Sequence, residues 1–184
     1  EEAEETESLL KAMILQMAAL HSYDELKLVV ITKETAEGEW NFLRFLPHLW
    51  NDDKTVRLFA ANADEIKELS AYLERNVLVR EDVENKNGDI VSPYYVVIAT
   101  DKTLMEKCQS VQKMLKYKNN AGFSLLILAD ELKELPKETK LVVCAGKESA
   151  KVFDRNDTTG KATAFRVDDL SGISMRRITE KLAA

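Results

Sequence analysis

Histidine and cysteine are scarce in this sequence, with two of each among 184 residues. His21 and His48 are not spaced to each other, or to Cys108 and Cys144, as a zinc ligand set is. So few imidazoles also leave little room for Ser–His or Cys–His catalysis. The two cysteines lie far apart, each inside an apolar pattern, and read as small buried hydrophobes of a reducing cytosol rather than as a disulfide. Glycine is also sparse, with six residues spread along the chain. Neither G-x-x-x-x-G-K-[ST] nor G-x-G-x-x-G occurs, so a backbone cradle for phosphates is hard to build, and the G-x-S-x-G nucleophile elbow is missing as well. A basic surplus is lacking: 26 Lys and Arg stand against 32 Asp and Glu, a net charge of −6. Neutralising phosphates needs the opposite balance, which argues against a nucleic-acid-binding module. No apolar run reaches the roughly 18 residues of a membrane-spanning helix, and no basic-then-apolar leader opens the sequence.

What is present is ordinary for a folded domain. Hydrophobic residues make up 45% and charged residues 32%, and a length within roughly 100–200 residues suits one domain, read over 1–184. Residues 1–8, EEAEETES, hold five glutamates. They lead into LLKAMILQMAAL at 9–20, a run of strong helix formers, and acidic residues suit the positive end of a helix dipole. Leu9, Leu10, Met13, Ile14, Met17 and Leu20 cover most of that helix's circumference. It is therefore expected either to be buried on nearly all sides or to show a partner-facing stripe drawn from Leu9, Leu10, Met13 and Met17.

Strands and helices then alternate. LKLVVIT at 26–32 suits a strand buried on both faces. Pro47 stops a helix in WNFLRFLPHLW and biases Leu46 towards extended backbone. VRLFAA at 56–61 reads as a second strand. Asn62 then caps a helix, Glu65 completes a capping box, and Ile66, Leu69 and Leu73 line one face. EDVENKNGDIVS at 81–92 is a polar loop with an Asn87-Gly88 turn. Pro93 opens the strand YYVVIAT, and Asp101 is placed to cap a helix striped by Leu104, Cys108, Val111 and Leu115. Further strands are expected at FSLLILAD, at 140–145 and at 162–167. Ser171 or Ser174 caps a last helix carrying Met175, Ile178 and Leu182. This alternation predicts an α/β fold, a three-layer, mostly parallel sheet with helices on both faces.

Ligands of open α/β sheets bind beyond the carboxyl ends of the strands. Those ends hold Thr32 and Lys33, then Asn62, then Thr100, Asp101 and Lys102, then Asp130 and Glu131, then Gly146 and Lys147. An acid ending an apolar strand can hold magnesium, but Asp101 is followed by Lys102 and is also the best available helix cap. Asp130 with Glu131 reads as a solvated loop before it reads as a metal or base site. His21 reads as a helix C-terminal residue facing the dipole, and His48 as a loop residue bonded to nearby backbone. Trp40 and Trp50 either anchor a partner or pack their loop onto the domain.

The stretch from Leu9 to Trp50 resembles the FtsK/SpoIIIE class of ring-forming translocase ATPases. The matching residues are His21, Ser22, Asp24 and Leu26 in a turn leading to a strand, and Leu46-Pro47-His48 in the loop that follows. PYYVVIATDK resembles the strand that carries the magnesium-binding acid in that class. GFSLLILAD, opened by Ala121-Gly122, and LPKETKLVVCA resemble the two strands after it. The wording is most similar to a membrane-proximal, degenerate ATPase-like module of the multi-ATPase membrane proteins of type VII secretion systems (EssC, YukB and EccC-like). The resemblance implies a P-loop-NTPase-like (RecA/FtsK-like) fold in which the phosphate loop precedes the first helix. Here EEAEETES stands at that place, and five carboxylates would repel a triphosphate. Lys102 stands where the catalytic glutamate would follow the acid. Thr100, Asp101 and Lys102 are thus carried over only as the vestige of a magnesium motif.

The resulting expectation is a non-catalytic module, part of a longer membrane-anchored chain that carries ATP-binding modules elsewhere. It would have no bound cofactor or metal. It would couple the membrane region to downstream ATPase domains and sit on the cytoplasmic side. Its partners would be adjacent domains of the same chain, other subunits of a secretion complex and secreted proteins, and it would touch the membrane only through the parent chain. The rival readings are a nucleotide-binding ATPase or DNA translocase domain, and a flavodoxin- or receiver-like domain whose required residues are not met.

Overall fold

A computed structural model describes residues 2–82, 92–118, 121–146 and 149–183. The Asn87-Gly88 turn and Lys147 therefore lie outside the described residues. Helix α1 (Glu2–Leu20) leads to strand β1 (Leu26–Ile31), whose six residues are all buried. The next segment is a chain of short turns, with 3₁₀ turns at Glu34–Ala36, Asn41–Phe45 and Pro47–Leu49 and one turn of helix, α2 (Glu37–Trp40). Strand β2 (Phe59–Ala60), helix α3 (Ala63–Asn76) and strand β3 (Tyr94–Ala99) follow. Helices α4 (Lys102–Lys107) and α5 (Gln109–Met114) then lead to strand β4 (Phe123–Ile127). The first sheet has the order β2-β1-β3-β4, and all its pairings are parallel.

Alternation along β1 and β3 builds two cores. Leu26, Leu28, Val30, Val96 and Ile98 face one side, packed with Leu10, Ile14, Leu15 and Ala18 of α1 and with Trp40, Leu43, Leu46 and Leu49 of the turn segment. Val29, Ile31, Tyr95, Val97 and Ala99 face the other, packed with Ile66, Leu69 and Leu73 of α3 and with Met105, Cys108 and Val111. The result is the expected three-layer α/β arrangement. Trp40 is part of the first core, whereas Trp50 is half-buried and bridges backbone to Arg57. Leu46 is extended before Pro47, with φ −77° and ψ 127°, as the ring of the following proline requires.

Four expectations need correction. The strand anticipated at 56–61 keeps only Phe59 and Ala60, because Trp50–Arg57 folds back as a short antiparallel turn. Leu58 N–H donates to the Leu49 carbonyl at 2.8 Å, and the Asn51 side chain accepts from Thr55 and Val56. The helix after Asp101 is broken at Cys108, which is extended (φ −80°, ψ 99°). There Ser110 donates its N–H to Ser70 Oγ and its hydroxyl to the Ser70 carbonyl, so a neighbouring helix takes over bonds that a continuous helix would have made itself. The buried residues are consequently Met105, Cys108, Val111 and Met114, while Leu104 and Leu115 are half-buried. The strands at 140–145 and 162–167 do not join the parallel sheet. Strands β5 (Leu141–Ala145), β6 (Ala150–Asp154) and β7 (Thr163–Phe165) make a separate antiparallel sheet, and β6 had no counterpart in the sequence reading. Residues 146–149 are too few for a parallel crossover, which takes a dozen or more, so the next strand can only return antiparallel. Finally, Cys144 is exposed on β5 and only Cys108 is buried.

Helix α1 meets its expectation in part. Leu10, Ile14, Leu15 and Ala18 are buried, Leu9, Met13 and Met17 are half-buried, and Leu20 is 71% exposed. The last helix, α6 (Met175–Leu182), is capped by Ser174, whose hydroxyl accepts from Arg177 N–H. Met175, Ile178 and Leu182 pack onto the first core. Ile14→Ala should cost about 2–5 kcal/mol, the range for truncating a fully enclosed aliphatic side chain, whereas Leu20→Ala should stay within about 0.5 kcal/mol. Urea denaturation of the two variants beside the parent checks the contrast.

Candidate functional site

The carboxyl edge of the parallel sheet is where the sequence places its candidates. Three ladder bonds end there: Thr32 N–H donates to the Ala60 carbonyl at 3.0 Å, Thr100 N–H to Ile31 at 2.9 Å and Leu128 N–H to Ala99 at 2.9 Å. The Thr100 hydroxyl donates to the fully buried Thr32 hydroxyl at 2.8 Å, tying β1 to β3 at their ends. Asp101 Oδ1 accepts from Leu104 N–H at 2.8 Å, which is the N-cap geometry of α4. Lys102 opens α4 with its ammonium 4.0 Å from Glu106 one turn on. Asn62 caps α3 by accepting from Asp64 and Glu65 N–H, each at 3.1 Å. Glu65 reaches back to Ala61 N–H at 2.6 Å, one residue earlier than a standard capping box. Asp130 and Glu131 lie exposed beyond β4, and Glu131 pairs with Lys133 at 2.7 Å and donates its N–H to Glu134.

Thr32, Asn62, Thr100, Asp101, Lys102 and Glu131 thus each have a local structural partner. A magnesium–nucleotide site asks for a carboxylate free to face the ion and for hydroxyls or phosphates to complete an octahedron. Thr100, Asp101 and Lys102 offer one acid that is engaged as a cap, beside a cation. As placed here, these residues do not meet that demand. Among the described residues, no cluster of three or more His, Cys, Asp or Glu side chains could hold a metal ion, and no helix is long and apolar enough to cross a membrane.

A second constellation lies at the opposite, amino-terminal end of the strands. His48 is buried and its Nε2 donates to the His21 carbonyl at 2.8 Å. The two scarce histidines are therefore in contact, and the contact joins the turn His21-Ser22 to the loop Leu46-Pro47-His48. His21 N–H continues the α1 ladder to Met17 at 3.1 Å, so His21 does end the helix. A carbonyl only accepts, so Nε2 carries the proton, and Nδ1 is left buried without a hydrogen-bond partner. Burial, with the Lys27 charge adding to it, holds the His48 pKa below its ordinary value. Lys27 itself is 1% exposed inside the apolar run of β1, and its ammonium meets Asp52 at 2.9 Å and lies over the Tyr23 ring. Behind it, Tyr72 and Tyr95 share a buried hydroxyl–hydroxyl bond of 2.9 Å, and burial pushes both phenols up from their ordinary value, Tyr95 strongly. The sequence reading passed over Lys27 and this tyrosine pair. A lysine interrupting an otherwise apolar strand was the signal available.

No family model matches the chain. By sequence it is homologous to proteins of type VII secretion systems. It is 24% identical over 139 residues to the type VII secretion system protein EssC of Staphylococcus aureus (strain NCTC 8325 / PS 47), covering 73% of this chain and 9% of that protein. It is 24% identical over 125 residues to the ESX secretion system protein EccC of Geobacillus thermodenitrificans (strain NG80-2), covering 68% of this chain and 8% of that protein. The chain spans about a tenth of the length of these relatives. Among solved structures, EssC (ATPases 2 and 3) from Geobacillus thermodenitrificans shares the fold, with a TM-score of 0.67 and 12% identity over 94% of this chain and 40% of that one.

Two outcomes follow from the geometry. Asp101→Asn should leave stability nearly unchanged, because Asn caps as well as Asp, whereas Asp101→Ala should cost about 0.5–2 kcal/mol. Chemical denaturation of the pair, with and without magnesium, reads both. His48 is neutral in the fold and titrates near 6.5 when unfolded, so the unfolded chain binds the extra proton first. Its contribution to stability is thus complete above about pH 6.5 and is lost as the pH falls from there towards the lowered folded-state value. His48→Gln should flatten the fall in stability between about pH 7 and 5 relative to the parent.

Proposed function

We propose that the chain is a non-catalytic, ATPase-like module of a type VII secretion motor protein. In this reading residues 1–184 form one such module of a longer chain, held on the cytoplasmic side of a membrane. The module couples a membrane-anchored part of that chain to ATPase modules elsewhere in it. The observation that carries the reading is the combination of homology to EssC and EccC with a carboxyl edge on which Asp101, the acid at the magnesium-motif position, serves as a helix cap.

The acidic start of α1 supports the same reading. Glu4, Glu5 and Glu7 lie in α1 close to where the resemblance puts a phosphate loop, and add negative charge there. Coupling is then mechanical. A rigid three-layer body transmits displacement through packed elements and needs no bound nucleotide.

Isothermal titration with ATP and magnesium tests the proposal directly, and the expected result is no binding heat. A thermal-shift series should agree: a ligand present at about 100 times its dissociation constant would add roughly 2.7 kcal/mol, which is easily seen. A dissociation constant in the low micromolar range would replace this reading with that of a nucleotide-binding ATPase domain.

A further inference from the structure

Residues 47–57 form a flap at the amino end of β1. Among the described residues its backbone hydrogen bonds are local: Leu49 N–H donates to Leu46, Trp50 to Pro47, Asn51 to Val56 and Lys54 to Asn51, and Leu58 returns to Leu49. Of its side chains only His48 and Leu49 are buried, and the rest are half-buried or exposed. A segment built this way opens more readily than a sheet or a long helix, because it gives up few apolar contacts and few long-range backbone bonds.

Two polar contacts tie the flap to the body of the fold. His48 Nε2 donates to the His21 carbonyl at 2.8 Å, and Asp52 meets the Lys27 ammonium at 2.9 Å. The groups that face the His48 ring are Lys27 from β1 and the His21 imidazole from the end of α1, and neither carries negative charge. Asp52 is engaged by Lys27, and Glu25 lies 4.0 Å from the exposed His21 ring. A neutral imidazole suits this place, since Nε2 holds its one proton and Nδ1 needs none. A second proton, on Nδ1, would be buried without an acceptor and would set a positive charge near that of Lys27. In the open flap the same charge is hydrated.

We propose that residues 47–57 are an acid-released flap: protonation of His48 lifts them from the amino end of β1 while the parallel sheet and its helices stay folded, and Lys27, otherwise 1% exposed, loses its partner and is uncovered. Closing and protonation oppose each other. His48 is held neutral in the closed flap and titrates near 6.5 once open, so the flap is held down above about pH 6.5 and loosens as the pH falls below it. The device is local because its titrating group sits on the segment that moves. It goes beyond the proposed function and stands whether or not the module binds nucleotide.

The test is amide exchange of the 184-residue chain at about pH 7.5 and about pH 5.5, expressed as protection factors so that the intrinsic pH dependence of exchange cancels. The amides of Trp50, Asn51 and Leu58, which bond within the flap, should lose protection by a factor approaching about tenfold, the limit that linkage sets one pH unit below 6.5. Leu69 and Leu73 in α3 should keep theirs. His48→Gln retains an N–H donor for the His21 carbonyl but does not titrate, so its flap should be equally protected at both pH values. His21→Gln keeps the carbonyl and should respond as the parent does. The ring proton signals of His48 in the parent need no variant, and their titration midpoint should coincide with that of the flap's loss of protection. Unchanged flap protection in acid would overturn the proposal. So would an equal loss in α3, which would mean global acid unfolding, a loss that persists in His48→Gln, which would mean another titrating group, or midpoints that differ.

Discussion

Everything in the parallel sheet hangs on β1. It is paired on both edges, to β2 and β3, and buried on both faces, so its six residues are excluded from water in every direction. A strand in that position has to be apolar throughout, and LKLVVI meets the demand with one exception. Lys27 carries its charge through the core to reach Asp52 at 2.9 Å. The partner is largely solvated, so the pair is anchored at the rim of the domain and only the lysine stem is enclosed. The same strand fixes the two faces: one belongs to α1 and the turn segment, the other to α3, α4 and α5.

The two ends of the sheet are built on different principles. At the carboxyl end, short polar side chains satisfy backbone groups: Thr100 bonds Thr32, Asp101 caps α4 and Asn62 caps α3. In an open α/β sheet this is the edge at which ligands are held, and here these side chains bond to backbone or to each other. At the amino end, the bond from His48 to the His21 carbonyl joins two segments 27 residues apart. The two short wordings that carried the family resemblance, around His21 and around Leu46-Pro47-His48, are therefore one structural unit. Their joint presence is explained by a packing contact and needs no ligand.

The antiparallel sheet shows a different economy. β5 buries only Val142 and Ala145, and β6 and β7 are more open still. Such a sheet protects one face and leaves the other to solvent or to a neighbour. It stands across an apolar groove from β4, the least covered strand of the parallel sheet.

The sequence by itself determined the layered α/β class, the buried strands β1 and β3, and the caps at Asn62 and Asp101, and it narrowed the last cap to Ser171 or Ser174. Each of these follows from local rules: apolar runs of strand length, and a short polar side chain ahead of a helical pattern. It also determined that Asp101 stands alone as an acid beside a lysine. Tertiary structure alone decided the rest. Whether the helix after Asp101 runs on or breaks at Cys108 depends on Ser70, which lies 40 residues away. That 140–145 pairs with Ala150–Asp154 in a separate sheet could not be read locally, because the charged strand Ala150–Asp154 offers too little apolar pattern to reveal itself. The meeting of His21 with His48, the route of Lys27 to Asp52 and the open edge of β4 are long-range facts. They are set by how the layers close over one another, and no window of local sequence contains them.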